Sequence, residues 1–316
     1  MFQRLRKASS TRGRAAVTWH GDRAALARVS ETDSNRPLVA AALHNVEQRG
    51  FGHNVFSGIE LGGEALGRSP VSTVLADGSY QMLLEELPNA PANEMREAIG
   101  WRIRDRIDTP LEEAVIELLE MPQHARATRA NSAYAVVARR DDVQTQIEKI
   151  KAVGLKLDTI DLPELCMRNI AIRLPQDAEG VAFLHFMDDS GLLTITRQGV
   201  LYLVRRIDIG KLQMDVTPTT QLRQGLIPSI CLELQRSLDY YETHYDLPSI
   251  TSLVLAPGSA LAPLMKAIRE QLGLEVSRLD LADIFELETA LDEETQKDCL
   301  LAVGASLRAL TPAEWK

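Results

Sequence analysis

Two hairpin-led groups of strands, one in each half of the chain, limit the folds open to it more than any single motif does. In the first half, Ala15–His20 and Ala24–Val29 are short apolar runs joined by the turn pair Gly21-Asp22, the pattern of a β-hairpin. Pro37–Val46 supplies a third apolar run. In the second half, Val181–Phe186, Leu192–Thr196 and Val200–Ile207 are three consecutive strand candidates, the last two joined by Gln198-Gly199. A doubly wound sheet would alternate strand and helix from its first element. The pattern implies a duplicated α/β plan instead, broken at Pro175-Gln176-Asp177.

Between and after these groups the elements are more mixed. Val71–Leu75 and Tyr80–Glu85 flank Asp77-Gly78, a type I′ turn pair, and predict a further hairpin closed by Pro88 and Pro91. Asn93 is the expected N-cap of a helix to about Ile107, with Met95, Ile99, Ile103 and Ile107 on one stripe. Ala114–Leu119, Ser132–Ala138 and Leu157–Ile160 are strand candidates; Asp141–Val153, ended by Gly154, and Leu165–Arg173 are helices. Leu226–Tyr245 is a long helix with Ile227, Ile230, Leu234, Leu238, Tyr241 and Tyr245 along one face. Strands at Leu253–Leu255 and Leu274–Leu279 and helices at Leu261–Leu272 and Thr295–Leu310 complete the chain.

A length of 316 residues suffices for two core-bearing lobes. A net charge of −9 and 5% aromatic residues oppose nucleic-acid binding, which needs a basic surface and stacking side chains. Cys166, Cys231 and Cys299 are scattered through apolar stretches, the usage of buried thiols in a reducing compartment. Met1–Arg14 is basic without the apolar run of a secretory signal. It reads as a solvated terminus rather than as a membrane-surface tether. Ile250–Met265 is the longest apolar stretch, and Pro257, Gly258 and Pro263 interrupt it, so no membrane span is expected. The expected location is the cytoplasm.

Enzyme chemistry finds little to stand on. Gly62-Gly63-Glu64-Ala65-Leu66-Gly67-Arg68-Ser69 imitates a phosphate loop, but Arg replaces Lys and Pro70 leads into a strand rather than a helix. The six histidines lack zinc-ligand spacing, and the acidic run Asp280–Asp298 reads as a solvated face. No catalytic or metal residue is assigned. In Trp101-Arg102-Ile103-Arg104-Asp105-Arg106, a helix would align Trp101 with Arg104 and Arg102 with Arg106. Trp beside Arg fits an interface hot spot, and equally a core-facing Trp with a solvated basic flank.

Three blocks carry a family resemblance. Leu87-Pro88 with Glu94–Asp105 and Asp108–Ile116 resembles the MSHA-type pilus biogenesis family MshI, related to the type IV pilus assembly family PilM. Glu233-Leu234-Gln235-Arg236-Ser237-Leu238-Asp239-Tyr240-Tyr241 resembles a PilM helix, and Ala302–Arg308 its terminal A-x-G-x-A-L-R, with Ser306 for the second Ala. The resemblance implies an actin-like α/β fold: two ribonuclease-H-type lobes with a small α/β subdomain inserted in the first. The expected division is a basic segment 1–14, a first lobe 15–175 with the insertion at about 88–155, and a second lobe 176–316. It also implies a groove that takes the cytoplasmic tail of a single-span inner-membrane pilus assembly protein. Trp101, Arg102 and Arg104 are the expected partner-binding residues, and the chain would be peripheral to the inner membrane, with self-association left open.

In the wider family ATP sits between the lobes, on two Asp-containing hairpin turns and a glycine-rich turn. Here Thr18 falls at the first Asp position and Ala24-Ala25 where a polar or Lys residue would reach phosphate. His185 stands at the second Asp position and Met187 at its Gly. Asp188 and Asp189 add negative charge, and the adenosine-side turn Leu255–Ser259 has one Gly and carries Pro257. A one-residue shift would recover Asp22 or Asp188. If nucleotide binds, its contacts would be Asp22, Asp188, Gly191, Glu233, Arg236, Gly258 and Ser259. The expectation is a scaffold with no cofactor. The alternative is an actin-like protein of pilus or type II secretion assembly that binds or hydrolyses Mg-ATP.

Overall fold

The computed structural model describes residues 14–21, 23–31, 36–45, 56–122, 131–259 and 261–310. Strands β1 (Arg14–His20), β2 (Arg23–Ser30) and β3 (Leu38–Asn45) form an antiparallel meander. A two-stranded ribbon, β4 (Glu60–Leu61) and β5 (Glu64–Ala65), precedes β6 (Val71–Val74), which joins β1 in parallel. Then come β7 (Tyr80–Glu86), α1 (Met95–Ile103), β8 (Ala114–Glu120), β9 (Ser132–Arg139), α2 (Arg140–Ala152), β10 (Leu157–Asp161) and α3 (Pro163–Ala171). The second half supplies β11 (Val181–Phe186), β12 (Gly191–Arg197), β13 (Val200–Ile207), α4 (Lys211–Val216) and α5 (Thr219–Gln221). A π-helical turn leads into α6 (Ile227–Tyr245), β14 (Ser252–Leu255), α7 (Ala262–Leu272), β15 (Glu275–Arg278), α8 (Leu281–Ile284), β16 (Glu286–Leu287) and α9 (Glu293–Ser306).

The duplication lies in the sheet orders. The first sheet runs β10-β6-β1-β2-β3-β16 and the second β13-β12-β11-β14-β15. Each is an antiparallel three-strand meander whose first strand carries two further parallel strands. β11 and β14 are almost wholly buried, as strands covered on both faces must be.

The predicted hairpin around Asp77-Gly78 does not form. β6 is flanked by β1 and β10, so neither edge is open to β7. Gly78 at φ 77° instead sends the chain into a separate sheet, β7-β9-β8. That sheet begins at Tyr80, so the inserted unit takes in β7. Asn93 does not cap α1 either; Glu94 holds the cap position without a side-chain hydrogen bond. On α1, Ile99 and Ile103 are fully buried against Ala135 and Val137. The phosphate-loop imitation is a hairpin: Gly62 (φ 61°) and Gly63 (φ 73°) turn β4 into β5, and a single 3-10 turn at Leu66–Arg68 leads to β6.

The last part of the chain returns to the first sheet. β16 pairs in parallel with β3, and α9 packs on β1, β2, β3 and β6. Ala16, Ala25, Ala27 and Ala41 face this region, and such short side chains let a helix lie close. One apolar core joins Val39 of the first sheet to Phe183 of the second through Met167 and Ile170 of α3 and Leu300 and Val303 of α9. Most of the acidic run is exposed, with Asp283, Glu286, Glu288, Glu293 and Glu294 toward solvent, while Asp280 caps α8 through the N–H of Ala282 and Asp292 caps α9 through that of Thr295. Among the described residues no cluster of acidic, His and Cys side chains could hold a metal ion, and no helix is long and apolar enough to cross a membrane. All three cysteines are free and buried.

Candidate functional site between the lobes

A cavity of about 680 Å³ lies where the two meanders meet. The first sheet contributes the end of β1 and the segment after β6; the second contributes the β11–β12 turn and the end of β13. Lys297, Asp298 and Leu301 of α9 and Gln146 and Lys149 of α2 complete it.

The second-lobe turn of this cleft is hydrogen-bonded internally. The turn Met187–Ser190 closes on itself, the Met187 N–H donating to the Ser190 carbonyl at 2.8 Å. Lys211 and Leu212, at the start of α4, donate their N–H groups to the carbonyls of Met187 (2.8 Å) and Asp188 (3.0 Å). Helix-start N–H groups are the ones that hold anions elsewhere; here carbonyls consume them. Gly210 permits the approach, since a Cβ there would lie 2.2 Å from the Asp188 carbonyl oxygen. Asp188, Asp189 and Asp208 stand exposed along this wall.

The lining cations are mostly engaged. Lys211 pairs with Asp215 at 2.8 Å and Lys297 with Asp298 at 3.3 Å. Arg206 pairs with Asp77 and, at 2.9 Å, with Glu164. Lys149 has no ion pair among the described residues. His185 is 5% exposed; burial, then repulsion from His20 and Lys297, pushes it down to about 4. Burial also lowers His20, against the pull of Asp298. Both shifts disfavour the charged imidazole that an anion site would favour.

Of the sequence-predicted nucleotide contacts, the structure brings Asp188 to the cleft. Asp22 lies outside the described residues. Gly191 opens β12 beneath the Phe186 ring, where a Cβ would sit 3.0 Å from it. Gly258 (φ 74°) backs onto α9: its N–H donates to Glu293 at 3.3 Å, and a Cβ would lie 2.7 Å from the Lys297 side chain. Ser259 is fully buried, its Oγ accepting from the Phe186 N–H at 3.0 Å. Glu233 and Arg236 pair with each other at 2.7 Å on α6 and do not line the cleft.

Sequence reasoning missed a network on the cleft wall. Tyr80 Oη donates to Glu164 at 2.7 Å, and Arg206 Nη2 donates to Tyr80 Oη at 2.6 Å with its guanidinium 5.1 Å from the ring centroid. Ser190 Oγ donates to Asp77 at 2.7 Å. These residues come from four separate parts of the chain, with only Asp77 and Tyr80 near one another in sequence, so no local pattern could have grouped them.

On α1, Trp101 is 59% exposed, with the Arg104 guanidinium 5.8 Å from its ring centroid. Arg102 donates to the Glu86 carbonyl at 2.6 Å, and Arg106 pairs with Glu85. The α-helix ends at Ile103 and Arg104–Arg106 form a 3-10 turn, so the predicted helix to Ile107 is shorter than expected; of the two readings of Trp101 the core-facing one is excluded.

No family model and no curated protein matches this sequence. Solved structures do. A chain of a PilM–PilN type IV pilus biogenesis complex shares 17% identity at a TM-score of 0.67, over 96% of this chain and 100% of that one. The cytoplasmic domain of EpsL, an inner-membrane component of the type II secretion system of Vibrio cholerae, shares 14% at 0.50, over 94% of each chain. At such identities the likeness is one of fold. With its duplicated five-strand plan and interlobe cleft, this chain has the actin-like fold.

Proposed function

We propose that this chain is a non-hydrolysing, actin-like scaffold of pilus biogenesis, of the MSHA-type branch related to PilM, stationed at the cytoplasmic face of the inner membrane. It binds the cytoplasmic tail of a single-span pilus assembly protein and turns over no nucleotide. The observation that carries the reading is the fold likeness to a chain of the PilM–PilN complex over 96% of this chain, joined to a cleft in which the carbonyls of Met187 and Asp188 take up the N–H groups at the start of α4. The exposed Trp101, braced by Arg104, supplies a rigid aromatic anchor for the tail.

Co-purification with such a tail is the direct test. Trp101→Ala is expected to weaken the complex by about 2 kcal/mol, roughly thirtyfold, if the ring is a hot spot. Capture of no such tail by the intact chain would overturn the scaffold reading. Calorimetric titration with Mg-ATP is expected to give no binding heat. Micromolar binding would instead favour the nucleotide-dependent alternative.

A further inference from the structure

The cleft side of the molecule carries an internal clamp, centred on Arg206. This residue leaves β13 of the second sheet and meets groups from three places outside that sheet. They are Asp77 after β6, Tyr80 at the start of the inserted sheet, and Glu164 on α3. Asp77 reaches back in turn, accepting from Ser190 in the β11–β12 turn at 2.7 Å. Asp77, Ser190 and Arg206 all line the cavity. Nearby, Tyr134 of the inserted sheet donates to the Val204 carbonyl of β13 at 3.3 Å. The α3–α9 core joins the sheets at the cleft floor; the Arg206 contacts join them at its wall.

We propose that Arg206 clamps the two lobes closed without a ligand, making from within the chain the bridge that a bound molecule would otherwise make across the cleft. One guanidinium serves two carboxylates, Asp77 and the fully buried Glu164. Without it, Asp77 keeps only the Ser190 hydroxyl and Glu164 only the Tyr80 hydroxyl as donors, and the lobes lose their attraction there. Arginine suits the position because one planar group can pair with two carboxylates and stack on an aromatic ring at once.

The clamp is tested by interlobe distance and does not depend on nucleotide or partner. Spin labels at Arg68→Cys and Gln271→Cys, both exposed and one on each lobe, report the separation; the native thiols are buried. The unmodified clamp is expected to give a single narrow distance distribution, unchanged by Mg-ATP. Arg206→Met alone leaves a buried carboxylate unpaired and can simply unfold. The variant to read is therefore Arg206→Met with Glu164→Gln, which removes the buried charge together with its partner. It is expected to keep its helical circular dichroism and to show a longer, broadened distribution, whereas Arg206→Lys should shift it less. A folded double variant with the original narrow distribution would overturn the proposal. So would a broad distribution with the clamp intact.

Discussion

Replacing Gly304 by valine is expected to remove 3 kcal/mol or more of stability, on the order of the upper range for overpacked cores, read as a large fall in the urea midpoint. The reason is a contact between two helix backbones. A Cβ at position 304 would lie 2.4 Å from the carbonyl oxygen of Cys166 and 2.7 Å from its carbonyl carbon. Backbone cannot rotate aside as the end of a side chain can. The crossing is further pinned by the Asn169 amide, which donates to the Gly304 carbonyl at 2.9 Å, and by Arg308, which pairs with buried Asp161 at 3.1 Å. Glycine inside a helix costs about 1 kcal/mol relative to alanine, so this helix accepts a weaker backbone to bring α9 against α3. Gly304→Ala should therefore destabilise despite its better helix propensity. Gly225→Ala is the matched control: nothing lies within 4 Å of a Cβ there, and a change within about 1 kcal/mol is expected. Equal midpoints for Gly304→Ala and the native chain would remove the close crossing from the account.

Gly304 also marks where the sequence stops being informative. The A-x-G-x-A-L-R resemblance picks out the residue, but only the position of Cys166, 138 residues earlier in the chain, explains it. Features carried by local periodicity were legible. The stripe on α6 is buried at Ile227, Ile230, Leu234, Leu238, Tyr241 and Tyr245, and each meander contains a pair of apolar runs separated by a turn pair, β1–β2 and β12–β13. Features decided by competition for a partner were not. Asp77-Gly78 has the residues of a hairpin turn, yet both edges of β6 are already taken. The two-residue strand β16 has no pattern long enough to detect, and it exists because the edge of β3 is open to it. The cleft divides in the same way. Asp188 was visible as a departure from a familiar turn, whereas Arg206, Asp77, Tyr80 and Glu164 meet only through tertiary structure.

His185 is expected to make the protein acid-labile in a window that its removal would erase. In an unfolded chain a histidine titrates near 6.5; in the fold, burial and the nearby His20 and Lys297 push His185 down to about 4. The unfolded state therefore binds the proton more readily between these values. The stability contributed by the neutral imidazole is fully present above about pH 6.5 and is lost as pH falls toward 4. A gap of this size corresponds to about 3 kcal/mol across the window. Glu164 acts with the opposite sign: burial raises it to about 7, so its protonation favours the folded state as pH drops from 7 toward 4.5. The native pH profile thus mixes both, and the informative quantity is the difference between the native chain and His185→Gln. Urea midpoints from pH 7.5 to 4.5 should show the variant gaining relative stability steadily as the solution becomes more acidic. The same measurement bears on the cleft. A site built to hold phosphate would stabilise the charged imidazole and raise its titration above 6.5, reversing the sign of that difference curve. A curve of the expected sign places a buried neutral histidine at the wall of the cleft, which supports the reading that this actin-like chain works without a nucleotide there.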